Sequence, residues 1–193
     1  VGSGPEEERL RAMCESAGYA ERVHFPGSVP HEQLQQFYAD ANVFAFPSIR
    51  ELGGAVVLEA MYMGVTPIVI DYGGPPEFVP AGTGVCLPMG RREAIVSDLR
   101  TALERAAADP SRLGEMGAAA RRLVTERHTW DAKAKSVVEI YEWVLGRGPR
   151  PDLAPPAEDL RCGFDDRDAD VVARSGGAPR APKPHARAVA ARN

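Results

Sequence analysis

Two glutamates separated by seven residues, Glu51 and Glu59, are the residues of this chain best placed to do chemistry. Glu51 stands beside the glycine pair Gly53-Gly54, and Glu59 sits inside the apolar run Ala55-Val56-Val57-Leu58-Glu59-Ala60-Met61-Tyr62-Met63. That run predicts a helix buried nearly all round, with one charge in it. A carboxylate in such surroundings costs several kcal/mol unless something pairs with it. No Lys, Arg or His lies within one helical turn. Two explanations stay open: an ion pair with a distant segment, or a carboxylate that accepts hydroxyl hydrogen bonds from a ligand. Glu51 alone reads as a solvated loop carboxylate.

The glycines suggest what else the ligand carries. Gly53 and Gly54 let the backbone come close to a bound group, and the first N–H groups of the following helix point towards it. No acidic side chain lies between Leu52 and Leu58, so a diphosphate meets no local repulsion there. An ordinary strand-to-helix turn explains the same residues. A second loop, Asp71-Tyr72-Gly73-Gly74-Pro75-Pro76-Glu77, follows a strand-like run and is expected at the same sheet edge. Glu77 either faces a ligand or complements the dipole of its short helix. Gly2-Ser3-Gly4 is a weaker signal. A dinucleotide fingerprint needs a third glycine where Glu7 stands, and Glu6, Glu7 and Glu8 would repel a pyrophosphate.

The elements that must position these residues alternate. Strand-like runs fall at 22–26, 43–47, 67–71 and 84–87, and helical stretches at 5–17, 30–41, 55–63 and, briefly, 75–79. Such alternation predicts an α/β fold, a doubly wound parallel sheet covered by helices on both faces. Helices at 91–108, 111–127 and 130–145 follow, with Pro110 at the entry of the second and Thr129 as N-cap of the third. Trp130 and Trp143 are expected to pack.

Composition limits the alternatives. The chain has 193 residues and a formal net charge of −4, so nucleic acid is not an expected partner. His24, His31, His128 and His185 share no metal-ligand spacing, so no metal is expected, and no nucleophile set is present. Cys14, Cys86 and Cys162 suggest neither a disulfide framework nor a zinc site and fit a reducing compartment. No apolar run reaches about 18 residues and no signal-peptide pattern opens the chain, which reads as soluble and cytoplasmic. From Arg147 onwards seven prolines and dense charge replace apolar periodicity. Residues 1–146 are therefore read as the folded domain and residues 147–193 as a disordered Pro/Arg/Asp-rich tail.

Taken with their context, these residues resemble a known family. Glu51, seven residues, then Glu59 is similar to the E-x7-E motif of retaining GT-B glycosyltransferases. Pro47-Ser48 precedes it, and Glu59-Ala60-Met61 with Gly64 follows. Pro67-Ile68-Val69, Gly73-Gly74 and Glu77-Phe78-Val79 come next, in order. Val1-Gly2-Ser3-Gly4-Pro5 and Arg22-Val23-His24-Phe25-Pro26-Gly27-Ser28-Val29 lie upstream. Over about residues 1–145 the chain looks like the donor-binding C-terminal domain of family-4 members, beginning partway through a βαβ unit.

The resemblance implies roles. Glu59 binds the ribose hydroxyls of a nucleoside diphosphate sugar. Glu51, the catalytic position, contacts the donor sugar together with Glu77. Backbone amides of Leu52, Gly53 and Gly54 hold the diphosphate, and Gly27, Ser28 and Val29 lie near the base. The implied reaction is metal-independent hexosyl transfer with retention, without a cofactor, to a sugar or glycoconjugate acceptor. The acceptor-binding N-terminal half, any peripheral membrane contact it makes, and the Arg and Lys that neutralise the diphosphate are expected outside this segment. The segment alone is therefore expected to be inactive. Leu52, where an aromatic is frequent, and Tyr62, in a stretch usually rich in small residues, are expected to tune donor preference. A sugar-nucleotide epimerase of the same architecture and a non-catalytic nucleotide-sugar-fold module are the alternatives.

Overall fold

The run Thr66-Pro67-Ile68-Val69-Ile70 is apolar at all but its first position, which suits a strand covered on both faces. In the computed structural model, which describes residues 1–152, it forms the central strand β2 (Thr66–Ile70) and is buried at every position. It pairs in parallel with β1 (Val43–Phe46) on one side and β3 (Val85–Leu87) on the other, giving the order β1-β2-β3. The register sets Ala45 opposite Ile68 and Val69 opposite Cys86. Pro67 donates no ladder bond and is tolerated one residue into the strand.

Alternation along β2 divides the core into two layers. Val69 joins Val57, Met61, Val79, Cys86, Ala120 and Val124 on the face covered by α3 (Ala55–Tyr62) and α5 (Pro110–Arg127). Ile68 and Ile70 join Leu87 and Ala102 on the face covered by α4 (Arg92–Ala108), with Ile95 and Leu99 packed beside them. Helices therefore cover both faces, as the alternating pattern predicts. α5 crosses the turn after α3 closely enough that a Cβ on Gly117 would lie 2.1 Å from the Gly64 carbonyl oxygen. Beside that contact the Thr66 hydroxyl donates to the Leu113 carbonyl at 2.9 Å. Helices α1 (Glu7–Ser16) and α2 (Leu34–Ala39) precede the sheet, and α6 (Trp130–Val144) follows α5. Thr129 caps α6 by accepting from the Ala132 N–H, and Pro110 opens α5.

Several expectations need correction. Residues 22–26 form no strand: a short 3₁₀ turn, Ala20–Arg22, leads into extended chain that joins no ladder. The helix expected over 30–41 is a 3₁₀ turn, His31–Gln33, followed by the short α2. Trp130 is 90% exposed and Trp143 is exposed too, so neither packs into the core. α3 buries Val57, Ala60 and Met61 but leaves Tyr62 exposed and Glu59 half-buried, because sheet and α5 take only part of its circumference. Among the described residues no helix is long and apolar enough to cross a membrane. The disorder expected for 147–193 falls, beyond Asp152, outside the described residues.

Candidate functional site

In a parallel sheet the loops that follow the strands emerge together at the carboxyl edge, where open α/β sheets bind ligands. The loop after β1 carries Glu51-Leu52-Gly53-Gly54, and the loop after β2 carries Gly73-Gly74-Pro75. The two loops are in backbone contact. A Cβ on Gly73 would stand 2.6 Å from the Glu51 carbonyl oxygen, and one on Gly74 would stand 2.1 Å from that of Leu52. Only glycine fits at such separations. Gly54, at φ +63, lies against Pro75, where its own Cβ would meet Pro75 Cγ at 3.0 Å. The two glycine pairs noted separately in the sequence thus hold one another.

Gly54 is also the N-cap of α3 and supplies no side-chain cap. The open donors beside it are used by Glu51, whose Oε1 accepts from the Gly53 N–H at 2.9 Å and the Gly54 N–H at 3.1 Å. Hydrogen bonds from Gly54 first, then Gly53, hold the Glu51 carboxyl below its ordinary range. Glu51 is therefore no free loop carboxylate. It occupies the backbone donors of Gly53 and Gly54, to which the family resemblance assigns a diphosphate. Leu52, between these residues, is 92% exposed. Glu77 is exposed on the 3₁₀ turn Pro75–Phe78, and its N–H donates to the Gly74 carbonyl at 2.9 Å.

Glu59 lies just over one turn into α3. No Lys, Arg or His pairs with it among the described residues, where ion pairs such as Arg9–Glu6, Arg11–Glu7 and Arg100–Glu104 lie elsewhere. Its polar neighbour is Tyr38 of α2, whose hydroxyl donates to Glu59 Oε2 at 3.5 Å. Burial first, then the charge and hydrogen bond of Glu59, push the Tyr38 phenol up to about 12. The Tyr38 ring meets Phe44 edge-on at 5.8 Å, and Phe44 stacks on Phe46 at 5.6 Å. Sequence reasoning missed Tyr38. The signal available was its short distance from Phe44 and Phe46, which alternation places on one face of β1.

The Gly27-Ser28-Val29 turn is tied elsewhere. The Gly2 N–H donates to the Gly27 carbonyl at 2.7 Å, and the Ser3 and Ser28 hydroxyls lie 3.0 Å apart. Among the described residues no hydrogen bond or ring contact joins this turn to the Glu51–Glu59 segment. The structure therefore gathers Glu51, Leu52, Gly53, Gly54 and the Glu77 turn into one edge site. Glu59 stands behind them on α3. No group of three or more metal-ligating side chains gathers among the described residues.

The model of a family described as glycosyl transferases group 1 matches residues 1–122. A GDP-mannose-dependent alpha-(1-6)-phosphatidylinositol monomannoside mannosyltransferase of Mycobacterium tuberculosis is 36% identical over 147 residues, 72% of this chain and 37% of that protein. A 2-deoxystreptamine N-acetyl-D-glucosaminyltransferase of Streptomyces fradiae is 34% identical over 127 residues, 61% of this chain and 30% of its own. Among solved structures, sucrose-phosphate synthase from Thermosynechococcus elongatus superposes with a TM-score of 0.61 at 28% identity, covering 76% of this chain and 38% of that one. The chain thus spans less than two fifths of the length of each of these proteins. With this sheet, these paired glycine loops and these matches, the chain belongs to the group 1 glycosyl transferases and has their GT-B type of α/β fold.

Proposed function

We propose that this chain is the donor-binding part of a transferase that moves a hexosyl unit from a nucleoside diphosphate sugar, with retention, to a sugar or glycoconjugate acceptor. The observation that carries the proposal is the convergence of the Gly53 and Gly54 N–H groups on one carboxylate oxygen. These amides, at the N-terminus of α3, form a working anion site, and the Glu51 carboxylate stands there in place of a diphosphate oxygen. A bound diphosphate displaces Glu51, which then turns towards the donor sugar beside Glu77. Glu59, further along α3, accepts the ribose hydroxyls. The base lies towards Gly27, Ser28 and Val29.

Each group has a physical task in this reading. The amides and the helix terminus stabilise charge that grows on the departing diphosphate. Glu51 and Glu77 orient the hexose for attack. Neither task uses a resident metal or cofactor. The mycobacterial relative is named for dependence on GDP-mannose, which supports a nucleotide sugar as donor here. Acceptor choice belongs to a further domain, and a soluble cytoplasmic setting is part of the same proposal.

Thermal melting of the full chain against UDP, GDP, ADP and their hexose conjugates tests the proposal. At a hundred times Kd a ligand specific to the native state adds about 2.7 kcal/mol, a rise of about 5–10 °C for a domain of this size. At least one nucleotide is expected to produce it. A panel with no response would refute the donor role.

A further inference from the structure

The least explained polar contact near the site is Tyr38 to Glu59. Tyr38 comes from α2, outside the E-x7-E segment, and reaches a carboxylate that has no cation beside it among the described residues. Its ring is seated by the edge contact with Phe44, and Phe44 is fixed in turn by stacking on Phe46. Both phenylalanines belong to the layer that carries α3, so the phenol and the glutamate are supported by the same face of the sheet.

We propose that Tyr38 is the positioning residue of the ribose-binding carboxylate: its hydroxyl holds Glu59 Oε2 and so leaves Oε1 aimed at the ribose hydroxyls. The proposal rests on the reading of Glu59 given above. A carboxylate has two oxygens and about four acceptor sites, so one donor from the protein fixes its rotamer without exhausting it. Tyr38 is a suitable donor because its phenol stays protonated across the working pH range. A separation of 3.5 Å is long for an O–H···O bond, and it is expected to shorten when a ligand orders the carboxylate. Phe at position 38 would keep the ring contact and lose only this hold.

The test is a double-mutant cycle on the full chain with Tyr38→Phe, Glu59→Gln and the pair, titrated calorimetrically with GDP, UDP and their 2′-deoxy counterparts. Tyr38→Phe is expected to weaken the ribonucleotide about five- to tenfold and the deoxynucleotide much less, so ribose discrimination falls. In the Glu59→Gln background the same change is expected to cost little, because the tyrosine acts through the glutamate. Additive losses, or equal losses for ribo and deoxy ligands, would overturn the positioning role. If Glu59→Gln weakens ribonucleotide binding and Tyr38→Phe does not, the proposal fails while the site reading stands. If Glu59→Gln has no effect, both fail. Should Tyr38→Phe fold poorly, 3,5-difluorotyrosine at position 38 keeps ring and hydroxyl but ionises more readily. Ribonucleotide affinity is then expected to fall with rising pH as the phenolate repels Glu59, and a pH-independent affinity would overturn the proposal.

Discussion

Adding a single methyl group at Gly74 tests the interlocking of the two loops. Gly74 has φ −79, a conformation open to any residue, so alanine there carries no backbone strain. Its Cβ would nevertheless stand 2.1 Å from the Leu52 carbonyl oxygen and 3.1 Å from the Leu52 carbonyl carbon. Those atoms are backbone and have no rotamer to change, so the loops must part. Forcing a methyl into a packed site costs about 1–3 kcal/mol, or about 2–12 °C in Tm for a domain of this size. Gly82 provides the opposite case. It has φ +84 with nothing within 4 Å of its Cβ, so Gly82→Ala meets backbone strain alone, about 1 kcal/mol or 2–4 °C. Gly73 combines both terms, with φ +74 and its Cβ 2.6 Å from the Glu51 carbonyl oxygen, and Gly73→Ala should be the most damaging. Melting curves rank the three. Titration with the nucleoside diphosphate that the wild type binds then separates site from scaffold. Gly74→Ala moves the Leu52-Gly53 peptide and should lose at least tenfold in affinity, whereas Gly82→Ala should bind normally. A Gly74→Ala protein that melted with the wild type and bound as tightly would refute the interlocked loops.

Two further outcomes follow from the electrostatics. Glu51→Ala removes the carboxylate that fills the Gly53 and Gly54 amides, so bare nucleoside diphosphate should bind about threefold more tightly while sugar transfer by the complete enzyme slows. Weaker binding of the bare nucleotide would contradict the placeholder role. His128 meets Phe78 edge-on at 5.5 Å, and burial first, then Lys133 and Arg127, hold its imidazole below the ordinary 6.5. The unfolded chain therefore takes the proton more readily. Stability should be intact above pH 6.5 and decline as pH falls through that value, and His128→Gln should flatten a melting series from pH 7.5 to 5.5.

What the sequence made legible is what local rules govern. The continuous apolar run of β2, the capping pattern at Thr129 and the proline at the start of α5 each fix an element from nearby residues alone. Residues 22–26 show why this fails elsewhere. Their composition favours extended chain, and Val23 is extended at φ −118, but a strand also needs a partner ladder. α3 was expected to be buried all round because its composition reports apolarity and not how many neighbours it meets. The same limit explains Trp130, an aromatic on a helix that covers little. At the site, the carboxylate spacing and glycine pairs picked out the two loops that meet at the carboxyl edge of the sheet. The backbone contact of Gly73 and Gly74 with Glu51 and Leu52, the folding back of Glu51 and the approach of Tyr38 all depend on tertiary placement.

The central claim, that Glu59 binds the ribose of a nucleoside diphosphate held on the Gly53-Gly54 amides, is tested most directly by calorimetric titration of Glu59→Ala with GDP and UDP. Each lost hydrogen bond to the carboxylate is worth about 1.5–3 kcal/mol, so affinity should fall at least tenfold. The melting temperature without ligand should stay the same or rise slightly, because no cation pairs with Glu59 among the described residues. Unchanged affinity, or a large drop in ligand-free melting temperature, would contradict the account.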